Sequence, residues 1–470
     1  MIKLFALFLV FFWGNISLIF AQDFVPDSLC TDSLIVRNIH LDCLKKTKSF
    51  IVSRELAFTK GSKISKHHIY QICKREANKI FNTDLFVIAD LIPIIEGDSV
   101  DLLASVIEKW YFYPIPILEL ADRNFNEWWQ QRNHDLGRIN YGMRFRQQNF
   151  RGRNEDLRFN FQFGFTQLYE LEYLIPYIDR KKTIGLSFSL SYANNKNMPF
   201  KTTQNKLDFL GSENILNQKM MFGVSVFKRN AFYNSHFFSS EYRYNQIADT
   251  VAFLNPNYFL KGKKSQYYVS LQYDFVRDVR NMAAYPLTGM YFKFSALHRG
   301  LGFLGTFNKL QFSFLYAHFF KLNPKFYLAT SWRGLISFPE LQPFPELRSF
   351  GYGSSIVRGY ELYVIDTQNF AIWKNTLRWQ LFSTEKRIDK IIGMEQFSTL
   401  PLSMYLKIYA DLAYAQNTLI TNPNDLANRL LAGGGIGLDT VASYNLVLRL
   451  EYSWNRENKN GFFMGFRADF

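Results

Sequence analysis

Gly461-Phe462-Phe463-Met464-Gly465-Phe466-Arg467-Ala468-Asp469-Phe470 closes the sequence and decides how the rest is read. Its even positions are all apolar, while its odd positions hold Gly, Arg and Asp beside Phe463. Side chains on a strand alternate between faces, so the segment has one greasy face and one mostly wet face. At the other end, residues 1–22 have the form of an export signal. Lys3 gives a positive start, residues 4–12 are apolar, and Phe20-Ala21-Gln22 offers a small residue for cleavage. A membrane anchor is the alternative reading, but Gly14, Asn15 and Ser17 interrupt the run and no basic stop-transfer cluster follows. A lipid-attachment site is disfavoured because Cys30 follows Leu29 rather than a small residue. An exported chain of alternating segments, without a long apolar helix, reads as an outer-membrane β-barrel.

Composition supports this. After Gln22 no run of about eighteen apolar residues exists, so helical spans are excluded. Yet 48% of the chain is hydrophobic and 18% aromatic, with 48 Phe and 27 Tyr, which suits a surface apolar in alternation and girdled by rings at two interfaces. The net charge of +15 suggests nucleic acid in a cytosolic protein, but an exported one has little access to it, so no nucleic-acid partner is expected. Lys and Arg that line a lumen or meet anionic lipid head groups at the rims account for the charge; a generally solvated surface does so nearly as well. Cys30, Cys43 and Cys73 all lie in the first hundred residues. A Cys30–Cys43 bridge is open, and Cys73, in an apolar helical pattern, reads as core.

Residues 31–112 differ from the rest. Leu34 to His40 alternate like a strand, residues 48–58 and 66–81 have helical spacing, and 85–95 and 100–110 are strand-like around a Glu96-Gly97-Asp98-Ser99 turn. The order β-α-α-β-β predicts one small α+β domain. Residues 113–137 read as a connector, because Pro114 and Pro116 stop regular pairing and Trp128-Trp129 suits a junction. Residues 138–470 contain about sixteen strand-like segments, an even number as in bacterial barrels. Leu402, Met404, Leu406, Ile408, Ala410, Leu412 and Tyr414 are apolar against Ser403, Lys407 and Asp411; Leu446 to Trp454 repeat the pattern against Arg449, Glu451 and Ser453. The longest connection, 338–368, is expected on the outer side. Residues 384–400 are expected as an unusually long turn on the other.

Within the 338–368 connection stands Val357-Arg358-Gly359-Tyr360. Here the chain resembles the BamA/TamA superfamily of outer-membrane assembly and secretion barrels, whose members carry such a tetrad in a loop folded back into the lumen. Asn149-Phe150-Arg151-Gly152-Arg153-Asn154-Glu155 is similar to a family segment between two early strands, with Asn154 where Gly is commoner. Arg277-Asp278 with Pro286 and Gly289, Tyr409-Ala410-Asp411, and Gly433 to Gly437 resemble further family strands. The front domain, with Arg54-Glu55-Leu56 and Asn82-Thr83-Asp84-Leu85-Phe86, looks like a single POTRA module, where several relatives have more.

A guanidinium inside a barrel needs a carboxylate or several carbonyls. Asp411 has lumen parity, and the resemblance implies that the loop arginine pairs with an acid on that strand, so Arg358–Asp411 is the expected contact. Gly359 lets the loop turn against the wall, and Tyr360 is placed to stack beside the arginine or bond the wall. The tract Gly433 to Gly437 lacks the Lys-Ser/Thr of a phosphate loop and reads as a bend or a close backbone approach. There is no His-Glu-x-x-His, Gly-x-Ser-x-Gly or Cys-x-x-Cys, so neither enzyme activity nor a metal or other cofactor is expected.

The resemblance implies a protein of the outer membrane with its POTRA-like domain in the periplasm. Its partners would be outer-membrane lipid and unfolded client barrels or secreted proteins, with accessory lipoproteins left open. The first and last strands, 139–147 and 461–470, are expected to meet at a seam that Gly461 and Gly465 weaken, closing at Phe470. A dedicated two-partner-type secretion pore and a passive porin or surface antigen are the alternatives.

Overall fold

The computed structural model of the protein describes residues 33–42, 44–122, 125–179, 183–230, 233–347, 350–352, 355–387, 399–419, 426–442 and 446–465. The export segment 1–22, Cys30, Cys43 and Phe470 lie outside these residues.

The front domain is built from β1 (Ser33–Asp42), α1 (Ser49–Ser53), β2 (Lys63–Ser65), α2 (Ile69–Phe81), β3 (Phe86–Glu96) and β4 (Ser99–Glu108). Its sheet runs β2-β1-β4-β3, with β1 parallel to β4 and the other pairs antiparallel. In α2, Ile69, Cys73, Ala77 and Ile80 recur at helical spacing and are buried. They share a core with Leu34 and Val36 of β1 and with the alternating Val100, Leu102, Ala104 and Val106 of β4. Burial pushes the Cys73 thiol up to about 11, which suits packing rather than chemistry. The three-residue β2 escapes sequence analysis because so short a strand has no period, and the first helix covers only five residues of the expected 48–58.

The second body is one antiparallel sheet of sixteen strands. It begins with β5 (Phe112–Leu120), and α2's successor α3 (Phe125–Gln131) follows that strand. Next come β6 (Ile139–Phe150), β7 (Glu155–Gly164), β8 (Thr166–Ile175) and β9 (Ile184–Asn195). A separate hairpin, β10 (Asn197–Thr203) and β11 (Lys206–Gly211), interrupts the sequence. The sheet resumes with β12 (Asn217–Arg229), β13 (Asn234–Ile247), helix α4 (Asp249–Leu254), β14 (Ser265–Asp278), β15 (Gly289–Arg299), β16 (Lys309–Lys321) and β17 (Phe326–Phe338). After helix α5 (Phe344–Leu347) it ends with β18 (Asn369–Arg387), β19 (Thr399–Gln416), β20 (Leu430–Ala442), β21 (Leu446–Asn455) and β22 (Asn460–Gly465).

The expected connector 113–137 differs from what is found. Its first third is β5, laddered to β6 from Phe112 opposite Gln147 to Leu120 opposite Ile139. Pro114 and Pro116 are tolerated because, among the described residues, β5 is an edge strand and its other side carries no ladder. Sixteen strands are reached only with β5 counted. The strand expected at the seam, 139–147, is therefore interior to the sheet, and the edges are β5 and β22. Helix α3 lies against β22, so the sheet curls round until its two edges approach.

The alternation read from sequence sets the two faces. On β19, Leu406, Ile408, Leu412 and Tyr414 are exposed, whereas Tyr405, Lys407, Tyr409, Asp411 and Ala413 are buried. On β21 and β22, Tyr452, Trp454, Phe462 and Met464 point out, while Glu451, Ser453 and Phe463 point in. No helix of the described residues is long and apolar enough to cross a membrane. Three connections touch the front domain and define the near end. Asn149 donates its side-chain amide to Thr47 Oγ1 (2.8 Å), the Arg54 guanidinium lies 4.1 Å from the Tyr177 ring, and Arg229 Nη1 reaches Glu55 Oε1 at 2.8 Å. The long connection between β17 and β18 starts at the opposite, far end. Of the expected turn 384–400, residues 384–387 and 399–400 are strand, because the β18–β19 ladder continues out to Arg387 opposite Thr399, and 388–398 lie outside the described residues.

Candidate functional site

The connection 339–368 does not stay at the far end. Its apolar residues Phe350, Val357, Tyr360 and Ile365 pack inside the sheet against Leu335, Phe370, Ile372, Ala413 and Leu431. Burying these side chains supplies the drive to fold inward, and specific polar contacts fix where the loop stops.

Arg358 is 3% exposed and Asp411 1%. Arg358 donates from Nε to Asp411 Oδ2 (2.9 Å) and from Nη2 to Oδ1 (2.5 Å), a two-point fork that lysine cannot reproduce. Its backbone amide adds a third bond to Oδ2 (3.0 Å). The rest of the guanidinium is used as well: Nη1 donates to Thr376 Oγ1 (2.9 Å) and Nη2 to the Asn375 carbonyl (3.2 Å). The Tyr409 ring lies 4.0 Å from the guanidinium carbon. Tyr409 thus takes the stacking position open to Tyr360 in the sequence reading; Tyr360 instead joins the apolar cluster, tilted against Tyr363.

The wall has made room for the loop. Gly433 sits opposite Asp411 in the β19–β20 register. A Cβ at Gly433 would stand 1.9 Å from the Arg358 carbonyl oxygen. Gly359, at φ +91°, also runs close to the wall, where a Cβ would stand 2.8 Å from the Trp454 carbonyl oxygen, and Asn455 donates to the Gly359 carbonyl at 2.5 Å. The first glycine of the tract is therefore a close backbone approach. Gly433→Ala should push the loop off the wall while leaving Arg358 and Asp411 intact. The expected outcome is a lower temperature for the loss of compact migration in detergent gels and faster protease cleavage within 339–368.

Nearer the front domain a second insertion enters the lumen, and sequence analysis missed it. The turn 279–288 between β14 and β15 folds inward, and its Tyr285 packs with Tyr327, Tyr405 and Val447. Tyr285 donates to Asp439 Oδ2 (2.8 Å), and Arg378 donates to the Pro286 carbonyl (2.7 Å) with its guanidinium 4.3 Å from the Tyr285 ring. Asp439 Oδ1 is 2.8 Å from Lys407 Nζ, which also reaches Glu451 Oε1 at 2.7 Å. A chain of buried polar contacts thus runs along β18–β21 between the two insertions. Pro286 and Gly289 were noted in the sequence, but nothing there said that Tyr285 would point inward from a turn.

At the far end, Met198 and Leu207 of the β10–β11 hairpin, Val251 of α4, Tyr258, Phe344 and Val364 form a third apolar layer over the loop. Of the expected seam residues, Gly461 pairs with Ser453 and Gly465 with Arg449 on β21. A Cβ at Gly465 would stand 2.6 Å from Arg449 Nη2, so this glycine leaves space for an inward arginine. The partner edge is β5, one strand earlier than expected.

Residues 149–467 match the Omp85 superfamily domain. Among solved structures, BamA from Haemophilus ducreyi lacking POTRA domains 1–3 is similar, with a TM-score of 0.51 and 15% identity over 92% of this chain and 83% of that one. CdiB from Escherichia coli is similar with a TM-score of 0.54 and 10% identity over 92% of this chain and 75% of that one. No curated protein matches the chain. The arginine loop inside the lumen, the glycine that receives it and the match across most of the sheet agree: the chain belongs to the Omp85 superfamily of outer-membrane β-barrels.

Proposed function

We propose that this protein assembles or translocates client proteins at the outer membrane without nucleotide. The front domain, a POTRA-like module, lies in the periplasm and receives unfolded client strands. The observation that carries the reading is the pairing of an occupied lumen with an open sheet edge beside it. Strand β3 is the long edge of the front sheet, eleven residues with no ladder on its outer side among the described residues, and it exposes Ile92, Ile94 and Ile95. Such an edge offers main-chain hydrogen bonds and apolar side chains to an extended segment. The barrel edges β5 and β22 then form the seam at which a client strand is templated or inserted.

Occupancy of the lumen argues against a passive porin, since side chains of the loop and of the Tyr285 turn stand where solute would pass. A dedicated secretion pore shares the same parts and differs in the number of clients. Depletion of the protein followed by a quantitative inventory of the outer membrane separates the readings. Loss of many barrel proteins is the expected result. Loss of a single exported protein assigns a dedicated pore, and an unchanged inventory overturns client handling altogether.

A further inference from the structure

Where the front domain meets the first barrel strand there is a notch of about 400 Å³. Its position is set by the register. Phe112 and Gln147 stand opposite each other at the near end of β5 and β6, with the same parity as the outward-facing pair Leu118 and Tyr141. The notch therefore opens on the outward surface, at the near rim of the apolar band. Trp110 and Phe112, 49% and 44% exposed, form its floor on the barrel side. On the domain side it is lined by Lys45, Lys46 and Lys109.

Lys109 is bound to Asp84, and the Trp110 indole donates to the Phe112 carbonyl. Glu108, the one acid lining the notch, accepts the backbone amides of Thr47 (2.7 Å) and Lys46 (3.1 Å) and is buried, so it faces the chain rather than the opening. Lys45 and Lys46 are exposed, and Lys46 Nζ lies 5.5 Å from the Tyr111 ring. Lys48 is exposed nearby, and its amide is tied to the Gly152 carbonyl of a turn whose Arg151 and Arg153 both face Glu155. The rim is thus cationic, with an aromatic step beneath it leading onto an apolar wall. Aromatic rings at the headgroup level with lysines on the aqueous side are the arrangement expected of a protein surface that meets anionic lipid.

We propose that the notch binds the headgroup of an anionic phospholipid of the near-side leaflet, with Lys45 and Lys46 on the phosphate and the acyl chains along Phe112, Pro114 and Pro116 of β5. An acidic client segment would satisfy the lysines but not the apolar wall that continues from them, which is why lipid is preferred. The site places a bound lipid on the sheet's edge strand. It rests on the reading that the outward band faces lipid and the front domain faces the periplasm, and it is independent of client handling.

The test uses the full chain purified in a mild detergent, offered phosphatidylglycerol and phosphatidylcholine in equal amounts, with retained lipid read by native mass spectrometry. The wild type is expected to retain phosphatidylglycerol about tenfold over phosphatidylcholine, and Lys45→Gln/Lys46→Gln to lower that retention about tenfold, since each lysine near an anionic surface contributes appreciably. Trp110→Ala is expected to lower retention of both lipids. Both variants should keep wild-type compact migration in detergent gels, which reports the fold separately. Equal retention of the two lipids, or unchanged retention in the lysine variant, overturns the site. So does complete displacement by millimolar inorganic phosphate or by an acidic peptide, which would assign the notch to a free anion or to a protein segment. A chain that stays native without detergent overturns the membrane reading before any lipid is added, so the two failures are distinguishable.

Discussion

Arg358→Ala should lower the stability of the barrel by about 3–5 kcal/mol, the range for removing one partner of a buried ion pair and stranding the other. The size follows from what surrounds the arginine. Asp411 would lose both fork bonds while keeping the Arg358 backbone amide, in a position 1% exposed opposite the buried Lys374. The Thr376 hydroxyl and the Asn375 carbonyl would lose their partner as well. Gel mobility after stepwise heating measures the effect: the compact form of the variant should disappear well below the wild-type temperature. Arg358→Lys should rescue only part, because an ammonium cannot make two parallel bonds to one carboxylate. Unchanged heating behaviour together with unchanged client assembly would show that the tetrad does not hold the loop.

Lys407→Met should be nearly as damaging, by a different route. Its ammonium stands between Asp439 and Glu451, and all three side chains are buried. Methionine keeps most of the volume but leaves two carboxylates facing each other, with Tyr285 still on Asp439 and Arg449 3.6 Å from Glu451. A loss of about 3–5 kcal/mol is expected. The triple change Lys407→Met/Asp439→Asn/Glu451→Gln should recover much of it, because neutral partners need no counter-charge. If the triple variant is no better than the single one, the cluster holds the wall by shape rather than by charge. Because Asp439 also holds Tyr285, the single variant should expose the 279–288 turn to protease, and that readout separates a local release from a general loss of stability.

The wall of the barrel was legible because strand parity is a short-range rule. Tyr405 to Tyr414 carry their in-and-out assignment in the residues themselves, and parity alone places Asp411 in the lumen. The arginine was legible through the resemblance of Val357-Arg358-Gly359-Tyr360 to a family tetrad, and its need for a partner follows because a guanidinium inside a barrel needs a carboxylate or several carbonyls. What failed was context. Pro114 and Pro116 normally exclude a strand, and only the knowledge that β5 is an edge removes the objection. That misplaced the seam by one strand. Lys63 to Ser65 pair with β1 across about thirty residues of sequence, and three residues carry no period of their own. Tyr285 is one aromatic among many, and its inward course is decided by Asp439 and Arg378, which come from strands far along the chain.

Three successive layers of side chain stand along the axis of this barrel: the far cluster around Tyr258 and Val364, the arginine-bearing loop, and the Tyr285 turn. A solute entering the sheet from the far side would meet the three in turn.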